Sequence, residues 1–484
     1  MAYWDFITIR GIEYYILLSD GETIYTFPET NPQNNPAIIS VSLQNVMPTV
    51  TFQSKKYDMI SIPLNLVNNN VINFLINAYG QYDKNNWRLF RWDNSSSSYL
   101  EYPDLNVELT AGIAFWLITR DGNNFNLSDA KSINTSKPFM IDLKPGWNQI
   151  GNPFPFPVAW DSVRMAMPLG LTKVQNSDLP LSPISWNVET EEYVPNQTTL
   201  VPWEGYWVNN TSETPVLLSI PPVESTGLMK KNTFADISNN EFVIQVKAFD
   251  KDRTQDTQNY AGMLNKAKDE TDKFDVLEPP AISDKINLTI IRDNKEYIQN
   301  MVAVSRQGAY WDLRITSDKP DKNIMIEIEK KSLLPDDFKI WFLDKNRMLS
   351  IPVSDKGMDI QLPEDGRGLY RIIVGKEEYA KENSEKIPLV PLEYTLFQNY
   401  PNPFNSTTNI MYNLREKSQV RVEVFDILGR RVKVLLNNEF QNPGTHNLMW
   451  DGKNTNGNYT SSGIYIYRIN ANDFTNSKMM VLLK

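Results

Sequence analysis

The chain is 484 residues long, carries a formal net charge of −10, and contains no cysteine and one histidine. Disulfides, thiolate nucleophiles, cysteine metal centres and multi-histidine metal sites are therefore excluded, and the acidic balance argues against nucleic acid, whose phosphates demand a basic surface. Twelve Trp, 22 Tyr and 21 Phe can fill sizeable cores, while 30 prolines and a scarcity of long helical patterns point to an all-β, multidomain chain. No apolar run reaches the roughly 18 residues that span a bilayer, so no transmembrane segment is expected.

Residues 1–50 lead from Glu13-Tyr14-Tyr15-Ile16 through Asp20-Gly21 to Ile24-Tyr25-Thr26-Phe27-Pro28. This predicts a hairpin closed at Asp20-Gly21 with a proline-rich exit, reading as the C-terminal remnant of an Ig-like or fibronectin-like domain.

Residues 57–128 and 138–222 form two copies of one β unit. The first opens Met59-Ile60-Ser61-Ile62-Pro63-Leu64 and the second Asn148-Gln149-Ile150-Gly151-Asn152-Pro153-Phe154. Trp92 precedes Tyr99, and Trp186 precedes Tyr193, by seven positions across a polar turn, and Gly112-to-Ile118 is set against Gly205-to-Val208. Eight tryptophans fall here: Trp87, Trp92, Trp116, Trp147, Trp160, Trp186, Trp203 and Trp207. Recurrence of Trp92 with Trp186 and of Trp116 with Trp207 favours a shared core, since each indole buries about 150–250 Å². Trp87, Trp160 and Trp203 have no evident repeat partner and are the candidates for exposed stacking on surface glycans.

A polar linker beyond Pro221-Pro222 ends near Asn240, and residues 240–376 are predicted to form a β-sandwich, with strands near 242–248, 286–291, 301–305, 310–316, 324–328, 339–343 and 370–374. Between the first two lie Asp250-Lys251-Asp252, Asp256, Asn259, Asp269, Glu270, Asp272 and Asp275 to Pro280. Calcium takes six to eight oxygens and could be served by such a stretch, but no EF-hand spacing is present and the interspersed lysines and arginines favour a solvated loop. No metal or other cofactor is expected. Residues 377–393 read as a charged, solvated linker.

The terminal segment, 394–484, contains Asn399-Tyr400-Pro401-Asn402-Pro403-Phe404, then Asp426-Ile427-Leu428-Gly429-Arg430, Trp450-Asp451-Gly452, Ser462-Gly463-Ile464-Tyr465 and a final Lys484. The two prolines hold their neighbours extended. Ile410/Tyr412/Leu414 and Val420/Val422/Val424 alternate with polar or exposed positions as strands with one buried face do, and Gly429 suits a tight hairpin. An Ig-like sandwich follows from these patterns. The motif series resembles the C-terminal sorting domain of the type IX secretion system, with Ser406 standing where that family commonly has another proline. The resemblance implies that this domain engages the type IX secretion machinery, that the protein is secreted or held on the outer surface of a Gram-negative bacterium, and that processing falls near 386–393. The 57–222 region is similar to β modules found upstream of such tails. Met1 to Phe6 has no signal-peptide character, so the chain is expected to be the C-terminal portion of a longer exported protein.

With one imidazole, inside the sorting domain at His446, the remaining catalytic option is a carboxylate pair of the glycosidase type. The chain has 58 Asp and Glu, so a chance pair says nothing, and no phosphate loop, nucleophile elbow or zincin motif appears. The expected function is non-catalytic: β modules as spacers or interaction modules behind an export address. A carbohydrate-binding or adhesive module is the alternative, with a carboxylate-dependent glycosidase behind it.

Overall fold

The computed structural model describes residues 12–483 apart from 30–36, 40–41, 44–51, 67–70, 106–109, 123–129, 167–172, 175–182, 226–237, 239, 251–253, 283–285, 319–322 and 356. Lys484, Asp252 with Lys251 and Arg253, Met1 to Phe6, and most of the polar linker before Asn240 lie outside these residues. Of the described residues about 53% are strand and 5% helix, so the chain is all-β. They divide into two units, Met1–Phe234 with Lys268–Ser283 and Ile298–Asn300, and Ala235–Ala267 with Asp284–Tyr297 and Met301–Lys484.

In the first unit the hairpin Ile16–Ser19/Ile24–Phe27 closes at Asp20-Gly21. The Asp20 carboxylate accepts from the N–H of Glu22 at 3.0 Å and of Thr23 at 2.7 Å, and Gly21 takes φ +96°. Ile16, Leu17, Leu18, Ile24 and Tyr25 of this hairpin are exposed.

The first repeat module is an antiparallel sheet in the order Tyr57–Ser61, Ala114–Thr119, Trp87–Asp93, Ser98–Glu101. A helix absent from the sequence reading, Val71–Tyr79, packs Leu75 into a core with Ile60, Trp87, Leu89 and Phe115. A small sheet of Ser42–Leu43, Ala130–Lys131 and Asn65–Leu66 takes in residues on either side of 57–128. In the second module Gly146–Gly151 pairs with Gly205–Asn210, Ser185–Asn187 with Glu192–Val194, and Phe139–Leu143 with Val216–Ile220.

The two copies are related strand for strand, and each completes the other. Trp116 and Trp207 are fully buried and occupy equivalent places, each paired through its strand with the opening strand of its own copy. Trp92 of the first copy packs edge-on against Trp207 of the second (6.1 Å, 80°), and Trp186 of the second packs edge-on against Trp116 of the first (5.1 Å, 88°). The backbone repeats the exchange: Ser61 N–H donates to the Trp203 carbonyl at 2.9 Å, and Gly151 N–H to the Gly112 carbonyl at 3.0 Å.

Counting back from the paired tryptophans corrects the register expected at the last strand. Gly205 corresponds to Ala114, and Gly112 corresponds to Trp203. Both members of the latter pair are left-handed, Gly112 at φ +80° and Trp203 at φ +72°. A Cβ on Gly112 would sit 2.7 Å from the Phe139 ring of the second copy, which explains the glycine there. At Gly205 a Cβ would approach Met59 and Ala114 within 2.8 Å, so that glycine marks close approach of the copies and not a shared turn.

Asp58 lies within the strand Tyr57–Ser61 and is buried, with the Gln53 N–H as a distant donor at 3.4 Å. Burial raises its carboxyl from 3.8 to about 7, against the lowering pull of that N–H and of Lys56. The unfolded chain releases this proton near pH 4 and the folded chain near pH 7, so the group costs nothing below pH 4 and its full penalty above pH 7. Asp58→Asn is expected to flatten the fall in stability between these values, recovering up to about 4 kcal/mol at pH 8, as denaturant titrations at pH 4 and 8 would measure.

The Lys268–Ser283 segment of the first unit departs from the solvated loop expected of it. Asp275, Val276 and Pro279 are buried, and Val276 joins a cluster with Trp116, Tyr193, Trp207 and Ile298. Its carboxylates are taken up by turn and strand hydrogen bonds: Asp272 accepts from the N–H of Lys268 (2.9 Å) and of Phe274 (2.8 Å), and Asp275 from Asn300 Nδ2 at 2.9 Å. Among the described residues, no group of three or more His, Cys, Asp or Glu is placed to hold a metal ion.

In the second unit the strands expected over 240–376 lie along one antiparallel path that includes Lys339–Asp344, Arg367–Gly375, Gly308–Thr316 and Asn287–Arg292, and, further along, Gln255–Leu264, Phe242–Phe249 and Asn323–Lys330. Phe242 packs edge-on against Trp311 at 6.1 Å, and Phe342 stacks on Tyr370 at 5.3 Å. Gln255–Leu264 was hidden by its polar residues. It buries Asn259, whose Nδ2 donates to Asp256 at 2.6 Å, while Asp256 accepts the Leu288 N–H at 2.7 Å.

Residues 377–393 are not a solvated linker. Glu377–Asn383 is a helix whose Ala380, with Ile387 beyond it, is buried in a cluster with Leu343 and Ile373. The charges that suggested solvation are either on the outer side or paired. Arg371, largely buried, reaches Asp312 at 2.7 Å and Glu385 at 2.7 Å, and donates to the Asn383 carbonyl.

Candidate functional site

The terminal domain is two facing sheets, Thr395–Leu396/Thr408–Leu414/Gly444–Trp450 and Arg431–Gln441/Ser418–Asp426/Gly463–Ala471/Phe474–Leu482. Inward side chains alternate as expected: Ile410, Tyr412 and Leu414 from one sheet, Val420, Val422, Val424, Tyr467 and Ile469 from the other.

Most of the motif residues build this framework. Asn399 is buried; its N–H donates to the Tyr467 hydroxyl at 2.7 Å, and its Nδ2 donates to Thr408 Oγ1 at 2.9 Å and the Pro401 carbonyl at 3.1 Å. Tyr400 exchanges both backbone hydrogen bonds with Asn409. Asn402 accepts the Val481 N–H at 2.8 Å, and Phe404 is buried beside Trp450, its backbone bonded to Val481 and Leu483. The Pro401–Phe404 segment therefore ties the first residues of the domain to its last strand, with prolines removing donors that would otherwise need partners. Trp450 is fully buried, its Nε1 donating to the Lys453 carbonyl at 3.0 Å, and Asp451 accepts the Lys453 N–H at 3.1 Å to shape the turn in which Gly452 takes φ +67°. Gly463 begins the strand paired with Leu482.

The Asp426–Arg430 turn differs in being outside. Burial alone would raise the Asp426 carboxyl, but Arg430 and the N–H groups of Arg430 and Leu428 hold it below its ordinary value. Arg430 Nε reaches it at 2.7 Å, and Gly429 takes φ +76° with open space around it. Ile427 and Leu428 project from this turn, Leu428 at 72% exposure.

Beside the turn lies an apolar strip on the outer face of the second sheet. Phe425, Ile466 and Met479 are neighbours across three strands, and Ile464 faces Val481 one step along. Met479 is 64% exposed and Ile464 is exposed. Grouped apolar exposure of this kind marks an interaction surface more often than scattered side chains do. The strand Gly463–Ala471 carries apolar residues on both faces, Tyr465 and Tyr467 inward and Ile464 and Ile466 outward.

His446 stacks on Tyr412 at 5.5 Å with Nε2 2.8 Å from the Asn442 carbonyl; burial lowers its pKa against that hydrogen bond. It is a framework residue of this domain.

The tryptophans proposed for glycan stacking are placed otherwise. Trp87 has no exposed surface; its Nε1 donates to the Gly80 carbonyl at 3.0 Å and its ring stacks on Tyr102. Trp203 is 5% exposed and enters the core of the first module from the second. Only Trp160, half-buried in a short 3-10 turn against the second module's core, keeps an open edge. The exposure expected of Trp87 and Trp203 is thus corrected: small modules need these rings inside.

An all-β multidomain chain ending in a two-sheet domain with these motifs belongs to the class of exported modular proteins with a C-terminal address. Residues 398–482 match the family described as the secretion system C-terminal sorting domain, so the chain carries a type IX sorting domain and is exported to the cell surface or secreted. Comparison with curated protein sequences gave no match. Among solved structures, the chain is similar to latent PorU from Porphyromonas gingivalis (11% identity, 79% of this chain and 36% of that one, TM-score 0.16). It is also similar to PorZ, a surface component of the type IX secretion system of the same organism (10%, 98% and 69%, 0.15), and to the polysaccharide lyase BACCELL_00875 (8%, 54% and 42%, 0.16). The chain spans 42% of the lyase and 36% of PorU. No helix among the described residues is long and apolar enough to cross a membrane.

Proposed function

We propose that this is a non-catalytic protein of the outer surface or secretions of a Gram-negative bacterium, in which the tandem modules and the sandwich act as spacer and interaction modules and the terminal domain is read by the type IX machinery. The observation that carries the reading is the outward apolar strip of Phe425, Ile464, Ile466 and Met479 beside the exposed Ile427-Leu428 turn, on a domain whose motif residues are otherwise spent on its own framework. The non-catalytic reading is supported by the one imidazole, which is stacked and hydrogen-bonded within the sorting domain. Release of the tail would fall where the chain is open, at Leu392 and Glu393, between the buried Ile387 and Leu396.

Deleting 394–484 is expected to leave the remainder in the periplasm, as cell fractionation and surface labelling would report. Ordinary surface display of the truncated protein would refute the address reading.

A further inference from the structure

The equivalent tyrosines of the two repeats converge on one atom. Tyr99 donates to the Pro280 carbonyl at 2.8 Å, and Tyr193 donates to the same oxygen at 2.6 Å. A carbonyl oxygen has two lone pairs, so the single Pro280 carbonyl satisfies one hydroxyl from each copy. Burial raises the pKa of both phenols, which keeps them protonated donors at neutral pH.

The surrounding walls suit an extended, proline-containing strand. The cleft floor is the edge-on set of Trp92, Trp116, Trp186 and Trp207, with Tyr99 and Tyr193 packed against Trp92 and Trp186 at 5.2 and 5.0 Å. Val276 fills the cluster, Ile282 packs on it and Pro279 is buried. In such an apolar setting an unpaired N–H would be costly, and two successive prolines bring none. Upstream, the Phe274 carbonyl accepts from Gln299 Nε2 at 2.7 Å, and Gln299 is itself held by Asn196 at 3.2 Å. Val276–Leu277 pairs as a strand with the segment containing Ile298–Asn300, and Asp275 just upstream accepts from Asn300 Nδ2, whereas from Pro279 onward the contacts are main-chain carbonyls and apolar side chains, the mode by which aromatic-lined grooves take proline-rich segments.

We propose that the aromatic cleft lined by both tandem modules is a binding site for extended proline-containing peptides, filled in cis by Val276 to Ile282. The segment is a tethered ligand of a site that also accepts such a peptide in trans when the tether is removed. The proposal is independent of the export reading.

The test uses the full chain in which 276–282 is replaced by a Gly/Ser stretch of equal length, mixed with a synthetic peptide of sequence 270–283 and followed by tryptophan fluorescence and calorimetry. Saturable one-to-one binding is expected, weakened tenfold or more when both peptide prolines are alanine or when the chain also carries Tyr99→Phe and Tyr193→Phe. The unaltered chain, its cleft filled, should bind the peptide at least tenfold more weakly. Absence of binding to a replaced chain that keeps its β-sheet circular dichroism overturns the proposal, as does binding indifferent to prolines and tyrosines. If the replaced chain does not fold, the otherwise unaltered chain with Tyr99→Phe and Tyr193→Phe decides. Trypsin cleavage after the exposed Lys273 should accelerate tenfold or more, and an unchanged rate overturns the proposal.

Discussion

Trp207→Ala is expected to cost about 3–5 kcal/mol, the range for removing a large buried aromatic ring. The ring is fully buried and touches Trp92 at 6.1 Å, Trp147 at 5.9 Å and Tyr99 at 6.4 Å, so its loss opens a cavity walled by both repeats, which other side chains cannot collapse into without giving up their own pairings. Guanidinium titration followed by tryptophan fluorescence would measure it. Trp160→Ala, at a half-buried turn with an open edge, should cost much less, on the order of 1 kcal/mol. A double-mutant cycle on Trp92 and Trp207 should return a coupling of about 0.5–1.5 kcal/mol beyond area burial, because they meet edge to face across the two copies. Equal losses at Trp207 and Trp160 would contradict the shared core.

Ile466→Glu with Met479→Glu should abolish export while leaving the sorting domain folded. Met479 is 64% exposed, and the half-buried Ile466 lies on the outer face near Arg468, which sits over Phe425, so two carboxylates there have water and a cation within reach and should change stability by no more than about 1 kcal/mol, measured by thermal melting of the whole protein. Apolar contact with the machinery, in contrast, would be lost altogether. Cell fractionation should find the variant in the periplasm. Unimpaired surface display would remove the strip from the recognition surface. Phe404→Ala provides the contrast: export is lost together with the domain's melting transition, because that ring is buried against Trp450.

The sorting domain was legible in the sequence because its motifs fix local geometry. Asp426, Gly429 and Arg430 form a turn by contacts within five residues, and period-two alternation assigns the strands their faces. Other features depended on partners distant in the chain. Nothing near Trp203 says that it enters the core of the other copy, and without that partner a lone tryptophan looks available for a ligand. Gln255–Leu264 escaped notice because its buried Asn259 is satisfied by Asp256, a pairing that composition counts as two polar residues against a strand. At 377–393 the balance is reversed: the charges are conspicuous, whereas Ala380 and Ile387, which decide its packing, are few. The candidate site divides likewise. The framework motifs were found, but the outward strip needed knowledge of which face of Gly463–Ala471 was already taken.

The crossing of Trp92 onto Trp207 and of Trp186 onto Trp116 makes the two copies one indivisible piece. Two copies of a self-sufficient module can be shuffled, lost or multiplied one at a time. Here each copy lends part of its interior to its neighbour, and Gly112 and Trp203 fill one equivalent left-handed position in two different ways. A break that parts the two copies therefore leaves neither with a complete interior, so the pair is the smallest piece of this region able to stand alone.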